Sequence, residues 1–174
     1  SITKSCAERL ALMYNREHGT RIAVVRGLNA YGPGQKAKPV RKVMPNFILS
    51  ALRVRDLTIY GDGEQIMDFI YVRDLAAILL LALFLDHGCY DRIFEAGSGR
   101  RTTINAVAEC VIQAAGSRSR ICHQPMRPGE TANSIVLADT STLEPLGVDA
   151  AGMVTLEDGL RQTIPWYREH LADL

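Results

Sequence analysis

The stretch GDGEQIMDFIYVRD, residues 61–74, is the most informative part of this chain. Its two glycines around an aspartate predict a turn. The residues on either side of that turn, 57–60 and 68–72, are rich in β-branched and aromatic side chains and predict two short strands, which we expect to form a small ribbon. An apolar helix is predicted next, over residues 75–85, and we expect it to be buried on most sides.

The rest of the chain alternates between helical and extended patterns, which is typical of an α/β fold. Glycines and prolines are spread evenly, so we expect one unit over residues 1–174. Pro165 predicts a kink or an early break in the last helix, whose start at Thr155-Leu156-Glu157-Asp158 resembles a capping box. We predict helices over residues 2–18, 45–53, 75–85, 103–115 and 155–170, a helical turn over 141–146, and strands over 21–26, 57–60, 68–72, 92–96, 120–123 and 134–137.

Composition excludes several classes of function. With 174 residues, of which 47% are hydrophobic and 22% charged, the chain is large enough for a real core and is not typical of disorder. A net charge of +1 gives no reason to expect nucleic acid as a partner. The four cysteines form no C-x-x-C pair, so we expect reduced thiols and no metal site. The apolar run 76–85 is far shorter than the roughly 20 residues that cross a membrane, so no membrane partner is expected.

Three motifs occur in order along the chain: RGLNAYGPGQ at residues 26–35, the stretch at 61–74, and RPGE at 127–130. Together they resemble the C-terminal half of the extended short-chain dehydrogenase/reductase family, the NAD-dependent sugar-nucleotide epimerases and dehydratases. The resemblance implies the C-terminal part of a Rossmann-like parallel sheet plus a small mixed α/β subdomain. Residues 1–26 and about 73–97 would belong to the sheet and its helices. Residues 27–72 and 98–174 would mostly form the subdomain that binds a nucleotide-diphosphate sugar.

The chain has no G-x-G-x-x-G run between a strand and a helix, the turn that lets a backbone approach a pyrophosphate. Its first residues read like the family's Tyr-x-x-x-Lys helix with the tyrosine directly before Ser1. We therefore expect a fragment that lacks the dinucleotide-binding half and is inactive alone. For the intact parent the resemblance implies NAD or NADP as cofactor and a homodimer, and the cytoplasm is the default location.

Lys4 is the candidate catalytic residue. A lysine ammonium one helical turn from a tyrosine favours the phenolate, which a free tyrosine with a pKa near 10 seldom forms at neutral pH. In the family resembled, the matching lysine also holds the nicotinamide ribose, so Lys4 is the cofactor-binding candidate as well. The alternative is a solvated lysine near a frayed terminus.

The resemblance implies a set of substrate-binding residues. Asn29 would contact the diphosphate, or merely stabilise a turn. The nucleobase would pack near Val43 and Met44, which equally fit a hydrophobic staple for the helix that Pro45 opens. Phe69 would lie near the base or ribose.

The RPGE motif supplies the last two candidates. Arg127 would bind the diphosphate and Glu130 the ribose hydroxyls, although an isolated RPGE is more often a surface turn. Asp68 and Asp74 could be ligand contacts, with a helix cap as the alternative for Asp74. At position 67 most family members place an arginine against the phosphates, so Met67 should weaken or re-route diphosphate binding.

The leading interpretation is the substrate-binding half of an NAD-dependent sugar-nucleotide epimerase or dehydratase. In the parent enzyme, hydride would move from a sugar carbon to nicotinamide while a tyrosine removes the hydroxyl proton. One alternative is a non-catalytic nucleotide-sugar-binding or regulatory protein. A third is an assembly module, because half of a parallel sheet exposes an apolar strand edge.

Overall fold

A computed structural model describes residues 2–40, 42–86, 88–129, 131 and 133–172. Its α-helices are α1 (Ile2–His18), α2 (Val43–Leu52), α3 (Val72–Phe84), α4 (Ile104–Ala115) and α5 (Leu156–Glu169), with two short 3₁₀ segments at Thr140–Leu146 and Ala150–Gly152. Its strands are β1 (Val24–Gly27), β2 (Ala30–Tyr31), β3 (Leu57–Tyr60), β4 (Ile66–Met67), β5 (Ile70–Tyr71), β6 (Ile93–Ala96), β7 (Thr102–Thr103), β8 (Ile121–Gln124) and β9 (Ile135–Val136). The predicted α/β class and the bounds of α1 and β3 are confirmed.

Local signals account for several helix ends. The Thr103 hydroxyl accepts a hydrogen bond from the Ala106 N–H and begins α4, while Gly116 ends it in the left-handed conformation. At the start of α5 the Thr155 hydroxyl accepts from the Asp158 N–H at 3.1 Å, as the capping sequence predicts. The helix then continues through Pro165, so the expected early break is not observed.

The expected ribbon across the 61–63 turn was wrong. Strand β3 pairs in parallel with β8, and β4 pairs antiparallel with β7 and parallel with β9. Strand β5 pairs with β2, and β1 pairs in parallel with β6. The turn therefore separates strands that join different sheets, because pairing with distant segments outweighs the local hairpin signal.

Two apolar clusters hold these elements together. The larger one packs α2, α4 and α5 around β3, with residues such as Ile48, Val107 and Leu160 fully buried. The second packs α3 and the first 3₁₀ segment against β6, around Phe94 and Leu143. The short strands β4, β7 and β9 form one three-stranded sheet, and Met67 of β4, Ile104 directly after β7 and Ser134 directly before β9 open onto the site described below.

The expectation that α3 is buried on most sides was also wrong. Within this helix, Ile78 and Ala82 are the buried residues. Leu83 and Phe84 are 71% and 78% exposed. Helix α1 likewise has no buried residue among those described. Within the described ranges no helix is both long enough and apolar enough to cross a membrane.

Helix α1 is tied to the β1–β6 pair by one arginine. Arg26 forms ion pairs with Glu8 of α1 at 2.9 Å and with Glu95 of β6 at 2.7 Å. The hydrogen bond and positive charge of Arg26 lower the pKa of Glu8. Arg26 therefore pairs with two carboxylates from different elements.

Candidate functional site

A cavity of about 440 Å³ opens between the start of α2, the end of β3, strand β4 and the segment that follows β8. Its walls combine cationic, amide, hydroxyl and apolar side chains. They are Lys42, Val43, Asn46, Phe47, Ser50, Thr58, Ile59, Tyr60, Gln65, Met67, Ile104, Arg127, Thr131 and Ser134. The first stretch quoted above, the α2 helix and the RPGE segment thus meet at one place.

The N-terminus of α2 forms one end of the cavity. Lys42 is the N-cap residue, has extended backbone angles, and makes no side-chain capping hydrogen bond. The backbone N–H groups of the first turn lack a side-chain partner, so this end of the helix carries uncompensated positive charge. Pro45 suits the first turn because it has no N–H to leave unpaired. The Lys42 ammonium adds a full positive charge, and the combination favours an anion.

Tyr60 and Arg127 form a second part of the cavity wall. The guanidinium carbon of Arg127 lies 4.2 Å from the centre of the Tyr60 ring, a cation–π contact. Tyr60 ends β3, and Arg127 belongs to the segment after β8, the strand that pairs with β3. The pairing of β3 with β8 therefore places a planar cation at the rim of the cavity, in a geometry that suits phosphate.

Apolar side chains line another part of the wall. Phe47 and Ile59 are buried, with 3% and 2% of their surfaces exposed, and belong to the larger core cluster. Met67 and Ile104 continue this surface from β4 and from the first residue of α4. A planar, partly apolar group such as a nucleobase can be desolvated against such a wall, while the cations take its charged substituents.

Asp68, the residue after the cavity residue Met67, is fully buried. Its carboxylate accepts hydrogen bonds from the Ser98 N–H, the Ser98 hydroxyl, the Gly99 N–H and the Ala138 N–H, at 2.7 to 3.2 Å. These partners belong to the segments after β6 and β9. Asp68 therefore joins three segments of the chain, a structural role that its place in the motif did not reveal.

Asp74 has a different partner from the one expected. It lies in the first turn of α3, but Tyr71 is the N-cap residue and makes no side-chain capping bond. The Asp74 carboxylate accepts a hydrogen bond from the distant Val154 N–H at 3.0 Å. The helix-cap interpretation of Asp74 was wrong.

The predicted substrate-binding residues divide between the cavity and its surroundings. Val43 and Arg127 line the cavity, whereas Met44 is buried below it in the core, 3% exposed. Phe69 is 8% exposed and its ring packs edge-on against Tyr31 rather than on the cavity wall. Glu130 lies outside the described residues. The binding roles of all five remain predictions.

Asn29 and Lys4 lie away from the cavity lining. The Asn29 amide donates a hydrogen bond to the Asp68 carbonyl at 2.9 Å and so ties the end of β1 to the link between β4 and β5. Lys4 is exposed on the first turn of α1. The diphosphate role of Asn29 and the catalytic role of Lys4 also remain predictions.

Several cavity residues were not singled out from the sequence. Asn46 follows Pro45 in the first turn of α2, and Gln65 lies inside the first motif. Thr58, Tyr60 and Ser134 were treated only as strand residues. The pairing of β3 with β8 and of β4 with β9 brings these strands to one place, and no local sequence signal encodes that proximity.

The sequence model of the NAD dependent epimerase/dehydratase family matches residues 1–97. This chain belongs to that family. The resemblance seen in the sequence is therefore confirmed, and NAD is the cofactor of the family. UDP-N-acetyl-alpha-D-glucosaminuronate decarboxylase of Bacillus cytotoxicus is 32% identical in sequence, over 97% of the present chain. The chain spans about half the length of the curated relatives it matches, 53% in this case.

Solved structures of the family share the fold. UDP-glucose 4-epimerase of Thermotoga maritima, solved with UDP-glucose, is 32% identical and superposes with a TM-score of 0.85. The match covers 98% of this family member and 53% of that chain. UDP-glucose 4-epimerase of Thermus thermophilus, solved with NAD, is 27% identical with a TM-score of 0.81, over 96% of this chain and 53% of the other. The expected partial Rossmann-like fold is confirmed.

Two sequence features bear on dinucleotide binding. The sequence has no glycine-rich turn for the pyrophosphate, and Lys4, the candidate for the nicotinamide ribose, is an exposed side chain on α1. The cavity between α2 and β3 belongs to a different part of the fold. It suits a ligand that combines a planar ring with negative charge.

Proposed function

We propose that this chain is the nucleotide-sugar-binding half of an NAD-dependent sugar-nucleotide epimerase or dehydratase. The observation that carries the proposal is the cavity in which Lys42 and the start of α2, the apolar wall and Arg127 converge. Its volume of about 440 Å³ lies within the usual range for small-molecule sites.

The cavity offers a partner for each part of a nucleoside diphosphate. The apolar wall around Phe47 and Ile59 accepts the base, which is planar and poorly hydrated on its faces. The start of α2, the Lys42 ammonium and the Arg127 guanidinium attract the phosphates. Family membership supports the same ligand, since the Thermotoga maritima relative was solved with UDP-glucose.

The sugar would extend from the diphosphate toward the sheet formed by β1 and β6. In this proposal residues 1–26 and 73–97 complete the dinucleotide-binding sheet, and residues 27–72 and 98–174 mainly hold the nucleotide sugar. Asn29 at the end of β1 is proposed to lie between the two parts. Lys4 is proposed to contribute positive charge on the catalytic side, and the intact enzyme is proposed to be a homodimer.

Binding without redox chemistry is the alternative function. Residues of this chain supply the apolar wall and the cations of the cavity. A protein that kept this half alone would still retain a nucleotide-sugar site. Tight binding of UDP-glucose without turnover by the complete natural gene product would favour this alternative over catalysis.

Isothermal titration calorimetry of the 174-residue chain tests the ligand class. UDP, dTDP and UDP-glucose should bind, and NAD should show no saturable binding. Arg127→Ala should weaken UDP binding by about tenfold, because it removes a charge-assisted contact. Arg118→Ala is the matched control, since Arg118 is exposed and is not part of the cavity wall. Absence of UDP and dTDP binding to the folded chain would refute the proposal.

A further inference from the structure

Two carboxamides on the cavity wall donate hydrogen bonds to main-chain carbonyls. The Asn46 side-chain nitrogen donates to the Lys42 carbonyl at 2.7 Å. The Gln65 side-chain nitrogen donates to the Tyr60 carbonyl at 3.3 Å. The Gln65 nitrogen also contacts the Met126 sulfur, so both of its N–H groups have partners and its amide oxygen is the group that remains for a ligand.

Gln65 carries the stronger signal of the two. Its side chain is buried, with 8% of the residue exposed, and no described residue donates a hydrogen bond to its Oε1 atom. Buried polar atoms normally have a partner, because an unpaired one has lost its bonds to water. Gln35 Oε1 is unpaired as well, but Gln35 is not part of the cavity wall. Gln65 therefore combines an unpaired buried acceptor with a position at a ligand-sized cavity.

The position of Gln65 is well determined by its neighbours. Its nitrogen lies 3.8 Å from the Met126 sulfur and donates a hydrogen bond to the carbonyl of Tyr60. The ring of Tyr60 in turn makes the cation–π contact with Arg127. Gly61 permits this arrangement, since a Cβ there would lie 2.4 Å from the Met126 methyl group and 3.1 Å from the Gln65 nitrogen. Gln65 lines the cavity, and the last torsion of a glutamine side chain is soft, so rotation about it can bring the oxygen to a bound ligand.

We propose that Gln65 is a base-specificity residue, whose Oε1 accepts a hydrogen bond from the imide N3–H of a bound uracil or thymine ring. This assignment rests on the function proposed above. An acceptor beside an apolar wall suits a ring that carries an N–H on its edge. Cytosine has an unprotonated nitrogen at the same ring position, so its lone pair would face the Gln65 oxygen and be repelled. The geometry thus favours imide pyrimidines over cytosine.

Methylation of N3 removes the proposed hydrogen bond and leaves the sugar and the phosphates of the ligand unchanged, so it tests this contact alone. In calorimetric titrations the unmodified 174-residue chain should bind UDP about tenfold more tightly than N3-methyl-UDP or CDP, the effect of one hydrogen bond whose loss leaves a buried group unpaired. Gln65→Met, which keeps the shape and removes the acceptor, should bind the three ligands within about twofold of one another. Gln124→Met is the control, because Gln124 is an exposed residue at the end of β8 outside the cavity wall.

The outcomes distinguish the two proposals. Equal binding of UDP and N3-methyl-UDP by the unmodified chain would overturn the role of Gln65 while leaving the nucleotide site intact. Undiminished discrimination in Gln65→Met, with a circular dichroism spectrum like that of the unmodified chain, would also overturn it. Failure of the unmodified chain to bind any of the three nucleotides would instead refute the proposed function, and this assignment with it.

Discussion

The carboxylate of Asp68 accepts two hydrogen bonds from Ser98, one from its main-chain N–H at 2.8 Å and one from its hydroxyl at 2.7 Å. Both residues are buried, and they lie 30 positions apart in the chain. Gly97 makes the approach possible, since a Cβ there would lie 2.5 Å from Asp68 Oδ2. The contact joins the link between β4 and β5 to the turn that follows β6, and so connects the cavity strands to the β1–β6 sheet.

Asp68→Ala should destabilise the fold strongly. The substitution leaves the donors of Ser98, Gly99 and Ala138, most of them buried, without their acceptor, and we expect a loss of about 3–5 kcal/mol in the free energy of unfolding. Urea denaturation followed by circular dichroism measures it. Asp91→Ala, at an exposed position, should stay within about 0.5 kcal/mol of the unmodified chain. Similar stabilities of the two variants would show that the Asp68 network contributes little.

Gly159→Ala should destabilise the chain even though alanine is the better helix former. A Cβ at position 159 of α5 would lie 2.1 Å from the Tyr31 hydroxyl oxygen and 2.8 Å from the ring carbon that bears it. Tyr31 is 2% exposed and cannot move aside easily, so we expect a cost of about 1–3 kcal/mol from overpacking. Gly152→Ala has open space around its Cβ and is the matched control. Thermal melting of both variants tests this, and equal melting temperatures would contradict it.

Met67→Arg should increase the affinity of the cavity for diphosphates. Met67 lines the same cavity as Lys42 and Arg127, and an arginine there adds a cation that can form paired hydrogen bonds with phosphate. We expect UDP to bind about tenfold more tightly and uridine to bind unchanged, with a steeper salt dependence for UDP. Met67→Leu is the control, because it removes the methionine without adding a charge and should leave UDP binding unchanged. Equal gains for uridine and UDP would show that the effect is not electrostatic.

Cys110 should react slowly with thiol reagents. Burial raises the pKa of its thiol, and the nearby Glu157 carboxylate, whose oxygen lies 3.7 Å from the sulfur, raises it further. A raised pKa means less thiolate at a given pH, so alkylation should speed up only as the pH rises above the usual range for cysteine. Iodoacetamide labelling followed by peptide mass spectrometry should therefore modify the exposed Cys6 before Cys110 at pH 8.

A substitution at Glu157 tests how its carboxylate contributes to the raised pKa of Cys110. Glu157→Gln should increase the labelling rate of Cys110 a few-fold, because the negative charge that disfavours the thiolate is gone. Glu169→Gln, at an exposed position near the end of the same helix, should leave the rate unchanged. An unchanged rate in Glu157→Gln would leave burial as the cause of the slow reaction.

Sequence patterns predicted the elements whose signals are local. Helix α1 has the expected bounds because its period and the following Gly19 lie within one segment, and the Thr155 cap is formed by residues three apart. The three motifs were sufficient to recognise the family. The resemblance that they carry also implied Val43 and Arg127, which line the cavity.

Properties that depend on distant segments could not be read from these patterns. An apolar run such as that of α3 has the same sequence whether other elements bury it or leave it exposed to solvent. In the structure Leu83 and Phe84 are exposed. The cavity residues Asn46 and Gln65 have no distinguishing neighbours in the sequence. Asp68 reads as a motif carboxylate, but its donors come from positions 98, 99 and 138.

The sequence by itself determined the family, the α/β class and most helices, because short-range periodicity, caps and ordered motifs are written in consecutive residues. The tertiary structure alone decided which strands pair, and therefore which side chains share the cavity. Parallel pairing of β3 with β8 joins segments more than 60 residues apart. It does so through backbone hydrogen bonds, which are much the same for every residue type and so leave no signal in the sequence. Only folding brings Tyr60 to Arg127 and leaves the oxygen of Gln65 without a partner beside the site.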